Sequence, residues 1–177
     1  MNRIFLALAV FFCFMANCLH GQEKTDVPAK DTVLPYRQYP TLPAFNILMM
    51  DSTTIFNTYN IPTGGPIALF FFSTDCGHCK RTTRRLIDSM EMLTDIRFYM
   101  ITPVHSMTEL RNFYTEFHME RYENIKLVGR DYEFFFGTFY KTRYVPDVAL
   151  YDGQKKLIKL IEGETTAKQI METVHPK

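Results

Sequence analysis

The 177-residue chain has no tryptophan, no surplus of either charge and only four cysteines. Its 20 Lys and Arg stand against 19 Asp and Glu, a formal net charge of +1. That balance excludes the basic footprint that grips nucleic acid and an acidic tail for a cationic partner. Internal repeats and low-complexity tracts are missing too, so neither a solenoid nor a biased linker protein is in view. What remains is the composition of a folded domain: 46% hydrophobic and 15% aromatic residues, carried by 16 Phe and 10 Tyr. The length suits one domain with a substantial core.

The few cysteines are informative by position: 13, 18, 76 and 79. Residues 1–21 run Met-Asn-Arg, an apolar stretch from Ile4 to Leu19, then His20 and Gly21, the pattern of a secretory signal peptide. Export to a periplasmic or other extracytoplasmic space is therefore expected, either soluble after a cut following Gly21 or lipid-anchored through Cys18. Asn17 before that cysteine fits a lipidation signal poorly. A cut after Gly21 leaves only Cys76 and Cys79. This pair encloses two residues, too short a loop to constrain an unfolded chain, so its use must be chemical: redox exchange or metal ligation.

Residues 22–40 are polar, hold Pro28 and Pro35 and lack apolar periodicity, which reads as a flexible linker ahead of a domain at 41–177. Leu42–Met50 and Thr53–Phe56 read as a hairpin, and the continuous apolar run Ile67–Phe72 as a central strand buried on both faces. Leu86, Met90 and Leu93 then fall at helical spacing, with Lys80, Arg81, Arg84 and Arg85 on the other, solvated faces. Arg97–Ile101 reads as the next strand. Ser106 and Glu109 form a capping-box pattern for a helix carrying Leu110, Phe113 and Phe117. Ile125–Val128 is a short strand, and Asp131 is placed to cap a helix running to Tyr140. Asp152-Gly153 joins Val148–Tyr151 to Lys156–Ile161 as a hairpin, and Thr165 or Thr166 caps a final helix. This order predicts a three-layer α/β domain with a mixed central sheet and helices on both faces.

Cys76-Gly77-His78-Cys79 lies between the buried strand and the amphipathic helix, which puts Cys76 at a helix N-terminus. Free N–H groups and the positive dipole end favour a thiolate there, making Cys76 the candidate nucleophile. Cys79, one turn on, is placed to resolve a mixed disulfide. His78 can carry a proton beside Cys76 and make the pair more oxidising, while Asp75 pushes the other way.

The strand, the Cys76-Gly77-His78-Cys79-Lys80 helix start and the distant Tyr144-Val145-Pro146-Asp147 segment resemble the thioredoxin superfamily. The Leu42-Pro43-Ala44-Phe45 entry, the hairpin and the helical insert before Pro146 are similar to its extracytoplasmic TlpA/ResA/DsbE-like branch. The resemblance implies that Pro146 is the cis-proline facing the disulfide and that the Val145 backbone pairs with substrate chain. It further implies protein thiol or disulfide substrates, no cofactor, and a membrane-bound electron donor to recycle a reductase. Three positions depart from the family: Asp75 stands where Trp is usual, Phe70 where many members bury an acid, and Gly-His is the spacer of disulfide isomerases.

Reduction of protein disulfides is the expected direction, oxidation or isomerisation the alternative. A thioredoxin-fold binding module or chaperone without exchange is the reading of a different class. A zinc site is the chemical rival, to which His105 and His118 could add ligands, but the chain has no second C-x-x-C and no closely spaced His pair. No metal is expected. A peroxidase, to which Ser73 ahead of Cys76 points, lacks its proline where Leu69 stands.

Overall fold

A computed structural model of the chain describes residues 33–176. The expected signal peptide with Cys13 and Cys18, and the expected linker as far as Thr32, lie outside the described residues. Among the described residues no helix is long and apolar enough to cross a membrane.

Seven strands form one mixed sheet: β1 (Asn46–Met49), β2 (Ile55–Asn57), β3 (Ile67–Phe71), β4 (Arg97–Thr102), β5 (Ile125–Arg130), β6 (Asp147–Tyr151) and β7 (Leu157–Glu162), in the order β2-β1-β5-β4-β3-β6-β7. β3, β4 and β5 run parallel, while β1, β2, β6 and β7 join by antiparallel pairing. All five residues of β3 are buried, as an apolar run at the middle of a two-sided sheet requires. Alternation then sorts them. Ala68, Phe70 and Phe72 pack on one face with Cys79, and Ile67, Leu69 and Phe71 on the other.

Among the described residues five helices complete the layers: α1 (Pro35–Gln38), α2 (Gly77–Ile87), α3 (Met107–Glu116), α4 (Phe135–Tyr140) and α5 (Ala167–Val174). Residues of α2, α3 and α5 join the Phe70 side, and those of α1 and α4 the Phe71 side. Two expected caps are present: Ser106 Oγ accepts the Glu109 N–H at 3.2 Å, and Thr166 Oγ1 accepts the Gln169 N–H at 3.2 Å. Gly129 marks where β1 closes on β5. A Cβ there would stand 2.5 Å from Ile47 Cγ2 and 2.8 Å from the Leu48 carbonyl, a gap only glycine fits.

Three expectations are corrected. The helix after the cysteine pair ends at Ile87, and Met90 and Leu93 are buried from a separate 3₁₀ turn at Met90–Leu93. Asp88-Ser89 tightens the chain there, the Ser89 N–H bonding the Leu86 carbonyl at 3.2 Å. Asp131 does serve α4, its two carboxylate oxygens accepting the Phe135 and Phe136 N–H groups at 3.0 and 2.7 Å, but the helix starts four residues beyond it. Burial raises the Asp131 carboxyl above its ordinary value, and these N–H bonds partly offset that. Finally, the end of the expected linker is anchored to the domain: Tyr36 is buried in α1, and the Pro40 carbonyl accepts the Leu157 N–H at 2.7 Å.

Candidate active site

Cys76 caps α2. Its extended backbone turns the chain out of β3, and its sulfur accepts the Cys79 N–H at 3.3 Å, satisfying one free donor of the helix start. Both cysteines are free thiols, and they differ in surroundings. Cys76 is half-buried, and its S–H points at the Val145 carbonyl, 3.6 Å away. Cys79 has no exposed surface and sits in the apolar cluster of Phe70, Phe72 and Leu86. Burial first, and then the hydrogen bond with Cys76, push the Cys79 thiol well above the ordinary thiol range, while the Ser73 N–H, 3.5 Å from its sulfur, works the other way.

The Val145–Pro146 peptide is cis. The Pro146 carbonyl accepts the Gly163 N–H at 2.8 Å, so the start of β6 and the chain leaving β7 are joined beside Cys76. Between the Cys76–His78 turn, the Thr142–Pro146 segment and Gly163-Glu164 lies a cleft of about 610 Å³. Tyr144 stands on its rim, 83% exposed.

Other expected site residues fall elsewhere. His78 does not turn to the Cys76 sulfur: its Nδ1 is 2.6 Å from Glu164 Oε1 and 2.7 Å from Arg81 Nη2. Asp75 bonds the Ser73 hydroxyl and faces a separate groove of about 180 Å³ with Lys80, Glu109 and Glu116. Phe70, in the position where the resemblance expects an acid, is wholly buried against Phe72 with ring centroids 5.8 Å apart. His105 pairs with Arg130 and His118 with Glu120, at 2.7 and 3.5 Å. Among the described residues no group of three His, Cys, Asp or Glu side chains is arranged to hold a metal ion.

Sequence reasoning missed two carboxylates. Glu164 gathers His78, Arg81 and Arg85, and the Arg81 and His78 hydrogen bonds hold its carboxyl at about 2. Asp147, directly after Pro146, is 1% exposed; burial raises its carboxyl above the ordinary value, and Oδ2 finds no hydrogen-bond partner. Neither is flagged by a motif, since their partners come from far along the chain. The basic residues of α2, read as a solvated face, are paired on both flanks: Lys80 and Arg84 reach Glu116 of α3 at 3.1 and 3.9 Å.

A sheet ordered in this way, with a C-x-x-C pair opening the helix after its central strand and a cis-proline hairpin alongside, defines the thioredoxin-like class of α/β proteins. The chain belongs to the thioredoxin-like domain family, whose pattern matches residues 59–175. Solved structures share the fold. A secreted Mycobacterium tuberculosis disulfide oxidoreductase homologous to Escherichia coli DsbE aligns at TM-score 0.60 and 12% identity, covering 73% of this chain and 92% of that one. StoA from Bacillus subtilis aligns at 0.57 and 15%, covering 76% and 98%, and M. tuberculosis DsbF at 0.57 and 14%, covering 73% and 91%. No curated protein sequence matches the chain.

Proposed function

We propose that the protein is an extracytoplasmic thiol:disulfide oxidoreductase that reduces protein disulfides through Cys76 and Cys79. The observation that carries this reading is the unequal pair: a half-buried Cys76 sulfur lining the cleft and a fully buried Cys79 whose backbone N–H bonds that sulfur at 3.3 Å. The half-buried sulfur meets substrate first. Cys76, as thiolate, attacks one sulfur of a substrate disulfide; the new S–S bond forms as the old one breaks, and its electron pair leaves on the other substrate sulfur, which takes a proton. Cys79 then loses its proton and attacks Cys76 Sγ in the mixed disulfide, releasing the second substrate thiol. Two electrons and two protons pass from the protein to substrate, and Cys76 and Cys79 end as a disulfide. The raised Cys79 thiol keeps its proton until that second step, which orders the two attacks.

Val145 and Pro146 form the wall against which the substrate chain docks, with the Val145 carbonyl, held by Cys76 S–H in this state, freed when that sulfur is bonded. The N-terminal leader supports export, as does the fold shared with a secreted oxidoreductase. In an oxidising compartment a reductase needs recycling by a membrane-bound electron donor, which we include in the proposal.

Trapping tests it. A Cys79→Ser variant should accumulate mixed disulfides through Cys76, isolable with their substrate partners. A variant that binds the same partners non-covalently, with Cys76 unreactive in the wild type, would mean a binding module instead.

A further inference from the structure

Resting on that exchange chemistry, we propose that Glu164 is a positioning residue: it holds His78 off the reacting sulfur and so makes the Cys76–Cys79 couple more reducing than its Gly-His spacer would by itself. A cation beside the attacking sulfur stabilises the thiolate, hence the reduced protein, and raises the reduction potential. The first three turns of α2 bring five cationic or protonatable side chains to this end of the molecule, and two acids divide them. Glu116 on α3 takes Lys80 and Arg84. Glu164, on the loop between β7 and α5, takes Arg81 at 2.7 Å, Arg85 at 2.9 Å and the His78 ring at 2.6 Å.

The His78 side chain is 66% exposed, so packing does not hold it; its Nδ1–H donates to Glu164 Oε1, and Arg81, which lies 2.7 Å from the same nitrogen, donates to that carboxylate and not to the ring. No hydrogen bond among the described residues joins its ring to Cys76, whose sulfur bonds instead with the Cys79 N–H and the Val145 carbonyl. Glu164 is better anchored than its partner, 26% exposed, and it lines the same cleft as Cys76. Its negative charge there offsets the field of a protonated imidazole. Arg143 also lines the cleft and brings a charge of the opposite sign. The spacer histidine that favours oxidation in the sequence is thus engaged by an anion that arrives 86 residues later.

The test is the equilibrium of the full-length protein with reduced and oxidised glutathione at pH 6. Glu164→Gln should move that equilibrium about three- to tenfold toward the dithiol form; tenfold corresponds to about 30 mV for a two-electron couple. In a His78→Ala background the same substitution should move it less than about twofold, and His78→Ala by itself should also shift it less than about twofold, because the ring is already neutralised. The inference is overturned if Glu164→Gln leaves the equilibrium unchanged, if its effect is equal in both backgrounds, or if His78→Ala alone makes the couple about tenfold more reducing. A wild type that forms no Cys76–Cys79 disulfide in these buffers overturns the exchange reading as well, and that is visible before any variant is made.

Discussion

The two faces of the sheet use alternate residues of the same strands, yet one is built for cohesion and the other for reaction. On the side of α1 and α4, rings stack almost without interruption: Phe45 on Phe135 at 4.7 Å, Phe71 on Phe136 at 4.4 Å, and Tyr36 beside Tyr140 at 6.0 Å between centroids. The polar atoms at the centre of that stack, the Tyr140 and Tyr151 hydroxyls, bond each other. On the side of α2, α3 and α5 rings also pair, Phe72 with Phe113 at 4.6 Å, but the packing includes a thiol, and the helix that carries it bears ion pairs along its exposed edges. Such pairs are exposed and each contributes roughly 0.2–1 kcal/mol, so what seats α2 firmly is its buried side, where Cys79 and Leu86 pack with Phe70, Phe72 and Phe113. A reactive segment and a rigid one can then be altered separately.

Substitutions on the aromatic face should test that separation most severely. Phe136→Ala removes a fully buried ring and should cost about 3–5 kcal/mol, read as a fall in denaturation midpoint, with the alkylation rate of Cys76 unchanged in the folded protein. A changed rate would mean that the faces are coupled. Gly129→Ala, where β1 meets β5 on the same face, should cost about 1–3 kcal/mol, because Ile47 and the Leu48 carbonyl must give way. A neutral result would show β1 free to shift.

The smallest effect is expected where the two regions meet, at Asp147, whose Cα pairs with Phe71. Burial raises its carboxyl, so the folded chain binds that proton more tightly than the unfolded one. Its contribution to stability is therefore most favourable below the ordinary value of 3.8 and falls as pH rises through the folded value. Asp147→Asn should be more stable than the wild type by about 1 kcal/mol at pH 7, where it removes a buried carboxylate charge whose Oδ2 has no hydrogen-bond partner, and lose that advantage near pH 3. Equal differences in thermal midpoint at both pH values would contradict this.

Much of this layout is legible in the sequence because it is written locally. The Ile67–Phe71 run, the Ser106 and Thr166 caps and the Asp152-Gly153 turn each depend on neighbours within a few residues, and all appear as expected. The cysteine pair is equally local. Its environment is not. Whether His78 faces sulfur or carboxylate depends on Glu164, and nothing near either residue announces the meeting. The packed α1 escapes for a related reason: a single Tyr36 in a polar stretch shows no periodicity, and its partner Tyr140 lies far along the chain. The end of α2 at Ile87 is missed because Met90 and Leu93 keep pointing inward from a 3₁₀ turn, which preserves the apolar stripe after the helix has stopped.

The β6–β7 hairpin, finally, has its open end at the cleft. Val145 and Pro146 enter it, Gly163 and Glu164 leave it, and the Gly163 N–H to Pro146 carbonyl bond clasps the two. The proposed docking wall and Glu164 are therefore the two tips of one forceps, whose pivot is the ladder from Asp147↔Glu162 to Tyr151↔Leu157. Strand register thus reaches the cleft: sliding β7 by one residue along β6 would move Glu164, just beyond its end, about 3.3 Å and carry the imidazole's anchor with it.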